Sequence, residues 1–191
     1  MPTPPDFSAG SVLTAAQLDK IGLWLIETKD VTAAATIDFT SVFSMDYRGY
    51  LLEWNYSHST QSDLYLQFRD ASGPMTGANY TWGWGGSFTS SGVSQFAGFS
   101  YQSTAQTSAY MGTATTPGTY ASGRMEIFAP QQNNIVHGAG QGLSLNYSST
   151  LTYTYLVGGI YHNTTGARTG IRLFPFAGTV TGKFSLYGFR N

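Results

Sequence analysis

Residues 64 to 69 read Leu64-Tyr65-Leu66-Gln67-Phe68-Arg69. Leu64, Leu66 and Phe68 alternate with Tyr65, Gln67 and Arg69, the period of two that marks a half-buried strand. The alternation predicts Leu64, Leu66 and Phe68 in a core, with Gln67 and Arg69 facing outward. Turn-forming residues bracket the stretch, Ser57 to Ser62 before it and Ala71-Ser72-Gly73-Pro74 after it. Upstream, Tyr50, Leu52, Trp54 and Tyr56 alternate with Leu51, Glu53 and Asn55, and Ile37, Phe39 and Phe43 with Asp38 and Thr40. Downstream, shorter candidate strands lie at 78–84, 93–101, 107–114, 123–129, 134–138, 142–147, 151–162, 169–174 and 179–187, mostly bounded by Gly, Pro, Ser or Asn. About ten such strands with no helical period between them predict an all-β fold, an antiparallel β-sandwich of jelly-roll-like type.

The N-terminus reads differently. Three prolines among the first five residues favour an extended arm over helix or central strand. Thr14-Ala15-Ala16-Gln17 fits a capping box, with Val12, Leu13, Leu18 and Ile21 as an apolar side and Gly22 as a stop. The expected organisation is an arm and one short helix over residues 1–30, then a sandwich domain over 31–191.

At 191 residues the chain is the size of one domain. Charged residues make up 10%, against about 25% in a typical soluble domain. Aromatics make up 15%, which argues against disorder. The absence of Cys removes disulfide scaffolds, thiol catalysis and Cys-ligated zinc. A net charge of −1 gives no basic field for nucleic acid. No apolar run approaches the ~20 residues of a membrane helix, and no secretory signal opens the chain. The expectation is a soluble protein made in a cytoplasm.

Residues 71 to 167 hold only two charges, Arg124 and Glu126. Interface cores are poor in charge and rich in aromatics, so this stretch is expected to supply subunit contacts in a homo-oligomer. The alternative is a surface solvated by Ser, Thr, Asn and Gln alone.

Catalytic patterns are sparse. Glycosidase chemistry needs two carboxyl groups about 5–10 Å apart. Every acid except Glu126 lies at or before Asp70, and a pair such as Glu53 with Asp63 is specified by nothing in the sequence. His58, His137 and His162 have no metal-ligand spacing and are expected on the surface or in loops. No nucleophile elbow is present, and the glycines of Thr81-Trp82-Gly83-Trp84-Gly85-Gly86 precede no helix or Lys of a phosphate loop. Trp82 and Trp84 fall on one face of a strand. With Tyr80 and Tyr101 they form the candidate glycan-stacking or interface aromatics, core packing being the commoner use of such a pair. Four Asn-x-Ser/Thr sequons, at Asn55, Asn79, Asn146 and Asn163, match the chance rate of a chain rich in Ser and Thr.

The stretch Phe7-Ser8-Ala9-Gly10-Ser11-Val12-Leu13-Thr14-Ala15-Ala16-Gln17-Leu18-Asp19-Lys20-Ile21-Gly22 resembles the opening of many tailed-bacteriophage virion proteins. Ile37-Asp38-Phe39-Thr40-Ser41-Val42-Phe43-Ser44, with Tyr47, Arg48 and Tyr50, is similar to a strand pair of such proteins. Thr181-Gly182-Lys183-Phe184-Ser185-Leu186-Tyr187-Gly188-Phe189-Arg190 resembles their closing strand. The likeness covers both ends and the first strands, about a third of the chain. It implies a non-enzymatic structural protein of the virion, of head decoration or fibre, collar or minor tail type, without cofactor, metal or catalytic residue. It favours a trimer for the homo-oligomer, docked to other virion proteins such as capsid or tail proteins, while the charge balance and the lack of a long apolar run predict no nucleic-acid or membrane partner. Phe7, Val12, Leu13, Leu18 and Ile21 would then form the attachment segment. The alternative function is a fibre-tip module that binds a receptor or host-surface glycan.

Overall fold

A computed structural model describes residues 22–90, 93–111, 117–132, 135–147 and 151–190. Within them, residues 87–90, 93–105, 144–147, 151–154 and 190 are described by their backbone alone. The described residues form thirteen strands and no helix: β1 Leu23–Ala34, β2 Ile37–Phe39, β3 Tyr47–His58, β4 Leu64–Asp70, β5 Gly73–Pro74, β6 Tyr80–Ser90, β7 Val93–Gln106, β8 Ala109–Tyr110, β9 Tyr120–Phe128, β10 Val136–Tyr147, β11 Leu151–His162, β12 Gly170–Pro175 and β13 Val180–Arg190. An eight-stranded sheet has the order β1-β13-β3-β9-β10-β11-β6-β7. A smaller sheet has the order β2-β12-β4-β5, with β8 also paired to β4. Every pairing is antiparallel. The chain crosses between the layers repeatedly and closes one core between them, so the expected β-sandwich is present.

Tyr50, Leu52, Trp54 and Tyr56 of β3 are buried, as are Phe184 and Leu186 of β13 and Met125 and Ile127 of β9. Against them the small sheet sets Ile37, Phe39, Leu64, Leu66, Phe68, Ile171 and Leu173. Leu64, Leu66 and Phe68 are fully buried, as the alternation requires. Gln67 corrects its expected outward position. It does lie on the opposite face of β4, yet it is only 8% exposed, and its Nε2 donates to the Thr107 carbonyl at 3.0 Å. A covering loop, invisible to a period-two reading, closes over it. Arg69 is half-buried and pairs with Asp38 at 2.6 Å.

The sandwich begins earlier than the expected boundary between residues 30 and 31, because β1 runs through it. As the edge of the large sheet, β1 has no fully buried residue and so no clean alternation. The predicted arm and helix lie outside the described residues, together with Phe7, Val12, Leu13, Leu18 and Ile21. The two strands expected at 134–138 and 142–147 are one strand, β10. Its Gly138, Gly140 and Gly142 are not turn residues. A Cβ on Gly138 would lie 2.9 Å from the Ile160 side chain, and one on Gly140 2.7 Å from the Arg124 carbonyl oxygen.

Candidate functional surfaces

The tryptophan pair singled out by the sequence is not a stacking platform. Trp84 is 2% exposed and its Nε1 donates to the Tyr110 carbonyl at 2.7 Å. Trp82 is half-buried, with its ring 4.9 Å from that of Tyr110. Tyr80 is fully buried. Its hydroxyl accepts from the Phe68 N–H at 2.8 Å and donates to the Met75 carbonyl at 2.9 Å, tying the two sheets together. Burial pushes its phenol well above the usual tyrosine range. Tyr80 and Trp84 are core, and Trp82 packs against it, the commoner use of such aromatics. The side chain of Tyr101 lies outside the described residues.

Two histidines expected in loops or on the surface are also core. His58 at the end of β3 is 2% exposed, and its ring packs edge-on against Tyr56. His162 at the end of β11 is fully buried between the Phe68 and Tyr80 rings and Arg168. Arg168 Nη2 lies 2.9 Å from His162 Nδ1. A guanidinium only donates, so Nδ1 accepts and the imidazole carries its proton on Nε2. Arg168 also donates to the Gly166 and Thr164 carbonyls, fixing the loop between β11 and β12. Burial lowers both imidazoles to about 4, the Arg168 charge adding to the effect at His162. His137, by contrast, is exposed, as expected. Among the described residues no group of three or more His, Asp or Glu is placed to hold a metal ion, and no helix is long and apolar enough to cross a membrane.

The outer face of the large sheet is where exposed functional groups gather. Register places Ser185, Glu53, Arg124, Gln141 and Val157 side by side across β13, β3, β9, β10 and β11. The adjacent row is Lys183, Asn55, Ser122, Leu143 and Tyr155. Glu53 and Asp63, the sequence's example of an acid pair, are separated: Glu53 is on this face and Asp63 precedes β4 of the other sheet. Leu143, Tyr155 and Val157 are each more than 40% exposed. An open depression of about 340 Å³ is lined by Glu53, Ser122, Arg124, Gln141, Leu143 and Tyr155 among others. A second, of about 390 Å³, shares Glu53, Ser122 and Gly123 with it and extends to Lys183 and Tyr187.

The Gln141 amide connects three strands. With its oxygen towards Arg124, it accepts from Arg124 Nε at 3.1 Å and Nη2 at 3.2 Å, and its nitrogen donates to Tyr155 Oη at 2.9 Å. The reverse orientation would set amide donors against guanidinium donors. The floor of this region is held flat from within by Trp54, which lies against Gly123. A Cβ there would sit 2.5 Å from the indole and 2.6 Å from the Gln141 carbonyl oxygen.

A different patch occupies the end of the same face where β1 begins. Leu23 pairs with Phe189 and Leu25 with Tyr187. Phe189 and Phe128 flank Gly49, which has no side chain to separate them. Leu23, Leu25 and Phe128 are 43%, 59% and 46% exposed. Sequence reading missed both surfaces, because outward positions carry no periodic signal of their own. The available clue was that Arg124 and Glu126 are the only charges in a long neutral stretch. No protein-family model matches the chain, and no curated protein is significantly similar to it.

Proposed function

We propose that this chain is a structural component of a bacteriophage particle, of head decoration, fibre, collar or tail type, that works by self-assembly and by docking to other virion proteins. The sequence of both ends supports the reading. The observation that carries it in the fold is the apolar patch of Leu23, Leu25, Phe128 and Phe189, which stands where the resemblance-bearing N-terminal segment enters the sheet. Exposed aliphatic and aromatic side chains in contact with one another mark association surfaces more often than solvated ones.

The low charge of residues 71 to 167 has a second source besides contacts. Tyr80, Trp84, Ala109, Met111, Ala121, Met125, Ile127, Val136 and Ile160 of this stretch are core. The self-association surface is therefore drawn from β1 and the ends of β9 and β13 as well as from that stretch. Light scattering on the purified full-length chain tests the assembly. The expected mass is three times the 20.6 kDa of one chain. A stable monomer contradicts the reading.

A further inference from the structure

We propose that the central outer face of the large sheet binds a neutral oligosaccharide, in the groove bordered by Glu53, Arg124, Gln141, Tyr155, Lys183 and Tyr187. The inference stands on that face alone and does not depend on the virion reading. The two depressions that share Glu53 and Ser122 each fall within the ~300–1,000 Å³ of small-ligand sites. Together they run from β11 to β13, four strand spacings or roughly 19 Å, which suits a chain of sugars better than a single ring.

The donors and acceptors suit hydroxyl groups, which must both give and receive. Arg124 commits Nε and Nη2 to Gln141, leaving N–H donors on Nη1 for a ligand. Tyr155 Oη accepts from Gln141, so its own O–H remains a donor. Glu53 has no ion-pair partner within 4 Å among the described residues, although Arg124 is directly opposite it on β9. Its carboxylate is available to accept two hydroxyls. Clamping by Gln141 holds Arg124 and Tyr155 in place before any ligand arrives, which reduces the entropy lost on binding. The Tyr155 ring, 42% exposed beside Leu143, offers an apolar surface to the C–H face of a sugar.

Charge decides the class. Asp30, which pairs with Lys183 at 4.0 Å, joins Glu53 and Glu126 on this face against Arg124 and Lys183, so the face has no positive field for a phosphate, a nucleic acid or a polyanionic glycan. Openness on one side suits a polymer that lies across the sheet.

The test is a titration of the full-length protein against an array carrying maltohexaose, cellohexaose, chitohexaose and bacterial O-polysaccharides, with heparin and oligo-dT as charged probes. Saturable binding to at least one neutral glycan is expected. Arg124→Met and Tyr155→Ala should each weaken it about ten- to a hundredfold, the range for losing a charged or buried-face contact, while Phe176→Ala, 78% exposed after β12, leaves it unchanged. Ring-proton shifts of Tyr155 and Tyr187 on adding the bound glycan to the unmodified protein provide a readout that does not require either variant to fold. Absence of binding to every neutral glycan overturns the proposal. So does binding of the charged probes alone, or glycan binding that leaves Tyr155 and Tyr187 unshifted.

Discussion

Phe68 is sealed between the two layers, stacked near Tyr80 and against His162, with no exposed surface. Phe68→Ala removes that burial and leaves a cavity, and should cost about 3–5 kcal/mol in denaturant unfolding. An unchanged unfolding midpoint would contradict the register. Gly123 is the opposite case, a position where nothing can be added. Gly123→Ala forces a methyl against Trp54 and the Gln141 carbonyl, and overpacking of this kind typically costs about 1–3 kcal/mol. A neutral effect would contradict the close packing of Trp54 on Gly123. These two residues also show what a sequence does and does not reveal. Phe68 announced its role through alternation with Gln67 and Arg69. Gly123 gave no sign, because its constraint comes from β3 and β10, far away in the chain.

At the scale of elements, β4 and β3 were legible because each is buried on one face and wet or covered on the other. β1 was not, since an edge strand with solvent on several sides has no reason to alternate. The sequence of β10 reads as two strands because glycine usually marks a turn, whereas here the glycines admit close neighbours from β9 and β11. The candidate site was less legible than the fold. Trp82 and Trp84 attract notice by composition but serve the core, while Glu53, Arg124, Gln141 and Tyr155 become neighbours only through the register of four strands.

The ends of β3 and β11 carry an acid sensitivity. His58 and His162 titrate near 6.5 when unfolded and at about 4 when folded. Between those values the unfolded chain binds more protons, so their stabilisation is complete above about pH 6.5 and is lost as pH falls towards 4. Asp38 acts in the same direction at lower pH. Burial works to raise its carboxyl, but the hydrogen bonds and charges of Arg172 and Arg69 outweigh this and hold it below 3.8. Stability should therefore decline steadily on acidification below about pH 6.5. NMR titration of the imidazole protons is the direct check. Neither buried ring should titrate near 6.5, and a midpoint there at either residue contradicts the packing. The patch at the start of β1 makes a separate prediction. Leu25→Asp or Phe128→Asp should shift the purified chain towards monomer in light scattering without lowering its thermal unfolding temperature by more than a few degrees. An unaltered oligomer would place the contact elsewhere.

The whole molecule is a two-layer sandwich whose large sheet turns one face into the core and the other to its surroundings. That outer face divides into an apolar end beside the chain's entry and a polar, mixed-charge centre. Such a division suits a protein that holds a position in an assembly with one region and meets a ligand with another. Neither use needs a cofactor or a catalytic group. The direct test of membership in a particle is electron microscopy of intact phage particles encoding this chain, labelled with antibody raised against the sandwich. Label at one fixed location, on head, collar or tail, is the predicted result. Particles that carry no label, and no peptide of this chain by mass spectrometry, would contradict it.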